Sequence, residues 1–193
     1  MSSDSSDIFA GEFKEVGKCL FAGSLVSSHS GNLSVRLDDG RMMITRRGSQ
    51  LGALRDQDLI VTGISYDDDH TALASVELPV HRAILQKTGA GAVVHAHPPH
   101  AIALSMTETE IISEQAELYE LGTVPVLGWN QDVRPGRLGD VIADGLKERN
   151  IVLVYGHGTF AVGKDLEEAY KYTAGLEEAC QVIWLVKTLR KAK

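Results

Sequence analysis

Two histidines, His95 and His97, lie two residues apart in the apolar run AVVHAH. Residues two apart on a strand point to the same face of a sheet, so we expect the two imidazoles to project together. Burying neighbouring imidazoles costs free energy unless their ring nitrogens have polar partners, and a divalent cation is a partner that neutral imidazoles can share. Packing in a core or contact with solvent would also explain the pair.

A third histidine, His157, lies far along the chain in the sequence YGHGTF. The glycines on either side of it allow a close approach of the backbone at this point. Three protein nitrogens with a fourth position left open are the arrangement of a catalytic zinc site, whereas structural zinc sites have four protein ligands. The three histidines are therefore a candidate metal-binding set.

The segment ASVELPVHRAIL adds a carboxylate, Glu77, at the first turn of a predicted helix. Proline often opens a helix, and an acidic residue at a helix start stabilises the helix dipole. His81 lies one turn later, where it could pair with Glu77 at the i,i+4 spacing. Two interpretations of Glu77 stay open: an ordinary acid at a helix start, or an acid or base for chemistry.

Two turns that contain glycine, SGN at 30–32 and TRRGS at 45–49, have the composition of small-anion sites. Backbone amides in turns hold small anions, often with the help of short hydroxyl or amide side chains. Arg46 and Arg47 add positive charge, and a guanidinium can pair with phosphate or carboxylate through two hydrogen bonds. Solvation at the surface is the competing explanation for at least one of these arginines.

The elements that must position these residues are a mixture of helices and short strands. Strand patterns occur in LSVRL, RMMIT, LIVTG, AVVHAH, VLVY and TFAV, and the first two and the last two have the signature of hairpins. Apolar spacing predicts helices from about Ile8, over 77–88 and over 137–150, and a long helix that Asp165 caps. Hairpins mingled with helices predict a mainly antiparallel sheet covered by helices.

Length and charge narrow the class of protein. The chain has 193 residues, 44% of them hydrophobic, and we divide it into a flexible N-terminal tail at 1–7 and a single domain at 8–193. The formal charge of −7 provides no basic field for nucleic acid or an anionic membrane. Because we find neither a membrane-spanning run nor a signal peptide, we expect a cytoplasmic protein.

Five segments, taken in order, resemble the class II aldolase and adducin-head superfamily, above all its L-fuculose-1-phosphate aldolases: GNLSVR, MITRRG, ASVE, VVHAHPPHA and GHGTFAVG. The resemblance implies a three-layer α/β/α fold with a central, mainly antiparallel sheet. It also implies a zinc-type divalent ion and a homotetramer with active sites at subunit interfaces. By position, His95, His97 and His157 would be the metal ligands, and Glu77 would be the catalytic acid/base that also touches the metal when substrate is absent.

The resemblance further implies an anion pocket, built from the two turns and the segment before Glu77. Its residues here would be Gly31, Asn32, Arg47, Gly48 and Ser75. Two positions depart from the aldolase pattern, because Arg47 stands where a small hydroxyl residue is usual and Val76 replaces the second serine of a pair. We hypothesise that Arg47 compensates by binding an anion directly, with carboxylate or sulfonate as alternatives to phosphate.

The aldolase pattern also includes a tyrosine from the neighbouring subunit that donates a proton. Its position falls near Glu114, which is not a tyrosine, although Tyr119 is close in sequence. The sequence leaves open whether Tyr119 takes this role.

The resemblance implies a metal-dependent aldehyde-lyase that cleaves or forms a C–C bond in a small hydroxy-ketone through a metal-stabilised enediolate. A sugar phosphate or a related anionic ketose or aldehyde is the expected substrate. One alternative is a sugar-phosphate dehydratase of the methylthioribulose-1-phosphate dehydratase type, in which the same metal and carboxylate eliminate water. A non-catalytic module like the adducin head is disfavoured, because such a module has no need of three histidines and a carboxylate.

Overall fold

The computed structural model describes residues 3–37, 40–115, 120–128 and 137–191. Its strands are β1 (Asn32–Arg36), β2 (Arg41–Thr45), β3 (Leu59–Gly63), β4 (Ala92–Ala96), β5 (Glu110–Ile112), β6 (Thr123–Leu127), β7 (Ile151–Val154) and β8 (Gly158–Gly163). Its helices are α1 (Ser3–Ala22), α2 (Leu78–Lys87), α3 (Pro99–Ser105), α4 (Leu138–Gly145) and α5 (Leu166–Lys191).

The eight strands form one sheet in the order β3-β2-β1-β4-β8-β7-β6-β5. Neighbouring strands are antiparallel except β6 and β7, which are parallel. The mainly antiparallel sheet expected from the sequence is confirmed. The pairings of β1 with β2 and of β7 with β8 are the two predicted hairpins.

Side chains alternate between the two faces of the sheet and so build two separate cores. On one face, strand residues such as Leu33 and Val94 pack with α1, α3 and α5. On the other face, strand residues such as Ile44 and Val93 pack with α2 and α4. The sheet is therefore covered by helices on both sides, which is the three-layer α/β/α arrangement.

Several boundaries follow the local signals in the sequence. α2 begins at Leu78, with Glu77 as its cap residue and a proline at the second helical position. The Asp165 carboxylate accepts a hydrogen bond from the Glu168 backbone N–H at 2.8 Å, which confirms its predicted role as the cap of α5.

Other boundaries differ from the sequence predictions. α1 begins at Ser3, before the start predicted near Ile8, and α4 ends at Gly145 instead of continuing to residue 150. Glycine is a poor helix former, and after Gly145 the chain must turn to enter β7. The division into a tail at 1–7 and a domain at 8–193 stays a prediction. Across the described ranges, no helix combines the length and the apolar character that crossing a bilayer requires.

A glycine contact fixes α1 against the segment that follows the TRRGS turn. A Cβ on Gly17 would lie 2.3 Å from the carbonyl oxygen of Leu51, which belongs to a short 3-10 turn. A Cβ on Gly11, in the same helix, would have nothing within 4 Å. The packing of this helix therefore depends on the absence of a side chain at Gly17.

We predict that Gly17→Ala lowers the free energy of unfolding by roughly 1–3 kcal/mol, because the new methyl group overlaps backbone atoms that must shift. Gly11→Ala is the matched control. It should raise stability by roughly 0.5–1 kcal/mol, the usual gain when alanine replaces an unhindered helical glycine. Urea unfolding followed by circular dichroism measures both, and shifts of the same sign would contradict the prediction.

Candidate functional site

His95 is held on β4 by contacts on two sides. Its neighbours in register are Asn32 on β1 and Phe160 on β8, and its imidazole stacks on the Phe160 ring with the centroids 4.1 Å apart. His95 Nδ1 lies 2.8 Å from the carbonyl oxygen of Thr159. Since a carbonyl can only accept, the proton is on Nδ1, and the electron pair of Nε2 points into the site.

His97 and His157 join His95 from two loop segments. The His97 backbone N–H donates to the Leu25 carbonyl at 2.8 Å, and that of His157 donates to the Val154 carbonyl at 3.0 Å. The ring centroids are 4.8 to 5.3 Å apart. One possible ligand atom from each ring lies within 4.8 Å of the other two. The structure therefore brings the three predicted histidines together.

Glycines in the turn between β7 and β8 allow His157 to lie beside His95 and His97. Gly156 has a φ of +60°, a conformation that favours glycine, and a Cβ on Gly158 would lie 2.3 Å from the Ala96 carbonyl oxygen. The Gly156 N–H donates to the buried Ser105 hydroxyl at 2.9 Å. Ser105 thus ties the turn of His157 to α3.

Glu77 directs its carboxylate toward the histidines. Its Oε2 is 3.1 Å from His95 Nε2, and its Oε1 is 3.5 Å from His157 Nε2. Asn32 Nδ2 donates to Oε2 at 2.7 Å, whereas the carboxylate makes no capping hydrogen bond to α2. Of the two interpretations left open by the sequence, the geometry favours an acid or base for chemistry.

The pairing of Glu77 with His81 considered from the i,i+4 spacing does not form as a direct hydrogen bond. The ring nitrogens of His81 bond to the Asn32 side-chain oxygen and, at 2.6 Å, to the Ser34 hydroxyl. Asn32 therefore stands between Glu77 and His81. Sequence reasoning missed Ser34, and the available signal was its position two residues after Asn32, on the same face of β1.

The electrostatics of the cluster suit a cation. Burial lowers the pKa of His95 well below its ordinary value and also lowers that of His97, and the neighbouring imidazoles add to both shifts. Both rings are therefore neutral near pH 7, which is the form that binds metal. The contact between His95 Nε2 and the Glu77 carboxylate joins two electron-pair donors, because the His95 proton is on Nδ1.

A divalent transition ion fits this donor set. Neutral imidazole nitrogens and a carboxylate oxygen are the ligand types of zinc and related ions, and the hydrogen bond from His95 Nδ1 to a carbonyl is the usual way to orient a ligating imidazole. His95, His97, His157 and Glu77 are the residues that could hold such an ion.

The two turns that contain glycine meet the histidines at one cleft of about 230 Å³. The predicted anion-binding residues all line it, namely Gly31, Asn32, Arg47, Gly48 and Ser75. Asn32 lines it with an amide that already bonds to Glu77 and His81. No hydrogen bond or ion pair to another described residue engages the Arg47 guanidinium, so this charge is available to a ligand. His29, which was not predicted, also lines the cleft.

No tyrosine is among the described residues that line this cleft, so none of them takes the place of the aldolase tyrosine. Glu114 is exposed and lines a different groove, beside the C-terminal half of α5. Tyr119 lies outside the described residues.

Comparison with known proteins gives one consistent family. Residues 12–184 match the Class II Aldolase and Adducin N-terminal domain. A methylthioribulose-1-phosphate dehydratase from Gluconobacter oxydans is 35% identical over 179 residues, which cover 84% of this chain and 85% of the relative. A 3-oxo-tetronate 4-phosphate decarboxylase from Pectobacterium atrosepticum is 29% identical, with 91% and 83% covered. The crystal structure of l-fuculose-1-phosphate aldolase from Thermus thermophilus superposes with a TM-score of 0.88 at 34% identity, covering 96% and 97%.

We predict that Ser105→Ala weakens metal binding, because the Gly156 N–H loses the acceptor that fixes the turn of His157. The expected loss is about 10-fold or more in affinity, the usual effect of removing a group that orients a ligand. Competition of Zn²⁺ with a chromophoric chelator measures it. Thr107→Ala, which removes a hydroxyl just beyond α3 that bonds to Leu104 and Glu108 and not to Gly156, should leave the affinity unchanged, and His97→Ala should abolish stoichiometric binding. Equal affinities for Ser105→Ala and Thr107→Ala would contradict the assignment.

Proposed function

The chain belongs to the family of class II aldolases and adducin N-terminal domains, and on that premise we propose that it is a metal-dependent lyase for a small anionic ketose. The observation that carries this proposal is the convergence of three imidazoles and one carboxylate at a single cleft. The enzymes found by comparison act, by their names, on phosphorylated compounds. We therefore expect a small phosphorylated or similarly charged substrate.

The metal site would consist of His95, His97 and His157, with Glu77 close enough to join it. A bound divalent ion, which we take to be zinc although imidazole also suits iron, cobalt or nickel, would supply a Lewis acid for a substrate carbonyl. Because imidazoles ligate metal in their neutral form, they leave the charge of such an ion undiminished. The stacking of His95 on Phe160 and its bond to Thr159 hold the first ligand rigidly.

Glu77 is placed to move a proton at the carbon beside that carbonyl. Its Oε2 is held by Asn32, while its Oε1 is on the side of His157 and the cleft. In the cleavage direction Glu77 would return a proton to the carbon that loses its C–C bond, and in condensation it would remove that proton. A positioned general acid or base typically contributes about 10² to 10⁴ in rate.

The charged end of the substrate would lie at the two turns. Gly31 and Gly48 have φ angles of +77° and +72°, turn conformations that expose backbone amides, and Ser75 adds a hydroxyl. The Val76 side chain adds no hydrogen-bonding group, and Arg47 supplies, at the same cleft, a guanidinium that no other residue in the described ranges engages. We infer that Arg47 binds the anion directly, and that a carboxylate or sulfonate can take the place of phosphate.

A dehydratase is the second candidate. The identity of 35% to the Gluconobacter dehydratase over most of both chains favours it. Glu77 would then remove the proton beside the carbonyl while a hydroxyl leaves as water. A non-catalytic module like the adducin head has no use for a carboxylate and three imidazoles in one cleft.

We also propose a cytoplasmic homotetramer with active sites at subunit interfaces. Three apolar residues in the C-terminal half of α5, Trp184, Leu185 and Leu189, are 45% to 67% exposed in the single chain. Such a surface suits contact with a second copy. An interface of this kind would also allow a neighbouring subunit to supply the missing proton donor.

Product analysis tests the proposed function. Purified protein loaded with Zn²⁺ is offered phosphorylated and carboxylated ketoses, and the products are identified by mass. Aldol cleavage yields two carbon fragments, dehydration keeps every carbon and loses one water, and decarboxylation releases CO₂.

Glu77→Gln should retain the metal and lose at least about 10²-fold in turnover. Absence of turnover with all ketoses would overturn the proposal, and full activity of Glu77→Gln would remove Glu77 from it.

We predict that Arg47 contributes to substrate binding and not to the chemical step. Arg47→Ala should raise KM for an anionic ketose by about 10- to 100-fold with little change in kcat, since a hydrogen bond to a charged group is worth about 1.5–3 kcal/mol. Arg149→Ala, at an exposed position in the loop before β7 and at the opposite end of that strand from the turn of His157, is the control and should leave KM unchanged. Steady-state kinetics with phosphate and carboxylate substrates measure both. Equal KM values for Arg47→Ala and the parent would contradict direct binding of the anion.

A further inference from the structure

A row of buried polar side chains connects the interior of the protein to Glu77. It consists of Ser34, His81 and Asn32, which we call the Ser34–His81–Asn32 relay. We propose that these three are positioning residues, whose hydrogen bonds have one fixed direction and hold Oε2 of Glu77 so that Oε1 faces the substrate. The inference rests on the proposed role of Glu77 as the acid or base.

The relay has short contacts and excludes solvent. The Ser34 hydroxyl lies 2.6 Å from His81 Nδ1, His81 Nε2 bonds to Asn32 Oδ1, and Asn32 Nδ2 lies 2.7 Å from Glu77 Oε2. Ser34 and His81 are fully buried, and Asn32 is nearly so. Water therefore has little opportunity to replace any of these partners.

The two elements supply the residues at matching intervals. β1 provides Asn32 and Ser34, two apart and on one face of the sheet. The start of α2 provides Glu77, its cap residue, and His81, four residues later on the same side. The four side chains form a continuous ladder between the strand and the helix. A ladder of this kind fixes the rotation of α2 about its axis, and with it the direction of the Glu77 side chain.

The direction of every hydrogen bond in the relay is set by the Glu77 carboxylate at one end. A Glu77 carboxylate can only accept, so the Asn32 amide must present its N–H to Glu77 and its oxygen to His81. His81 must then carry its proton on Nε2. Burial lowers the pKa of His81 to about 3, so the ring is neutral and its Nδ1 accepts from the Ser34 hydroxyl. The relay therefore presents a hydrogen-bond donor, the Asn32 N–H, to residue 77, and a carboxylate can accept from it. A donor group at that position would face another donor and could not bond to it.

Packing alone gives no reason for a histidine at this position. His81 lies on the α2 face that packs into an apolar core with Ile84 and Leu85, and the Phe160 ring meets it edge-on. A leucine of similar volume would bury more apolar surface without desolvating two ring nitrogens. Its presence is explained if the direction of hydrogen bonding toward Glu77 matters.

The relay also separates the functions of the two carboxylate oxygens. Oε2 accepts from Asn32 and lies beside His95, whereas Oε1 faces His157 and the cleft. Anchoring one oxygen leaves the other with a defined direction for proton transfer. A loss of this anchor should lower kcat more than it raises KM, because substrate binding does not require a particular carboxylate rotation.

The first experiment measures which ring nitrogen of His81 carries the proton, and it needs no substrate. In ¹⁵N-histidine-labelled protein loaded with Zn²⁺, long-range ¹H–¹⁵N spectra at pH 7 distinguish the two neutral tautomers, and the His81→Gln spectrum assigns the signals. We expect His81 in the Nε2–H form in the parent protein and in Ser34→Ala, because Asn32 sets the direction, and a mixture of tautomers in Asn32→Ala, where the Ser34 hydroxyl alone can donate or accept. An Nδ1–H form in the parent, or an unchanged single tautomer in Asn32→Ala, overturns the fixed direction.

The second experiment compares two replacements of His81 with similar volume. His81→Gln can donate to Asn32 and accept from Ser34, as the histidine does, whereas His81→Leu can do neither. We expect at least a 10-fold lower kcat for His81→Leu than for His81→Gln, with the Zn²⁺ content unchanged in both. Equal kcat values in two folded variants overturn the positioning role.

Ser34→Ala provides the third comparison, with Thr173→Val as the control for loss of a buried hydroxyl. Thr173 is fully buried on α5, and among the described residues its hydroxyl bonds to the Ala169 carbonyl of its own helix and to no other partner. Both variants should lose a similar amount of thermal stability, but only Ser34→Ala should lose about 10-fold or more in kcat. A loss of stability without a loss of kcat in Ser34→Ala shows a structural role only and overturns the proposal. Full activity of Glu77→Gln would instead remove Glu77 from the proposed function, and the tautomer measurement would still report on the relay.

Discussion

The close pairing of β4 with β8 determines where the candidate metal ligands lie. A side chain at Gly158 would collide with the Ala96 carbonyl, so the two strands approach closely only because glycine is there. The next residue of β8, Thr159, then presents its carbonyl to His95 Nδ1, and this fixes the tautomer of His95. The same turn carries His157 to the end of β4. One backbone contact thus sets both the position and the protonation pattern of the site.

The polar cluster lies where one of the two apolar cores ends. The faces of α2 and of the central strands that bury Ile84 and Val93 also bury His81 and His95. Unpaired polar groups at such a place would be strongly destabilising. In the described part of the chain, however, no buried side-chain nitrogen or oxygen lacks a hydrogen-bond partner. The site is therefore a satisfied network, and such a network resists the rearrangement of any one member.

The sequence predicts the parts of this protein whose signals are local. Short apolar runs predict β1, β2, β3, β4, β7 and β8, and Asp165 marks the start of α5. The same signals miss α3 and β5, because these elements are short. They miss β6 because it contains a proline, which is rare within strands. The residues at the cleft could be proposed from their types and from the family resemblance, but their partners could not. The spacing of Glu77 and His81 suggests a direct pair, whereas Asn32 reaches in from a distant strand and bonds to both. Such contacts depend on which strand lies under which helix, and only the tertiary structure supplies that information.

Aldol cleavage, dehydration and decarboxylation present the site with the same physical problem. In each reaction electrons are released toward a carbon beside a carbonyl, so a cation at the carbonyl oxygen stabilises the transition state of all three. The histidines and Glu77 therefore do not select among them. Selection depends on which bond the bound substrate directs toward the reacting face, and this is set by where its charged end is held. Arg47 and Val76, which depart from the aldolase pattern that the sequence resembles, both line the cleft, so in the proposed function they are the residues expected to orient the substrate.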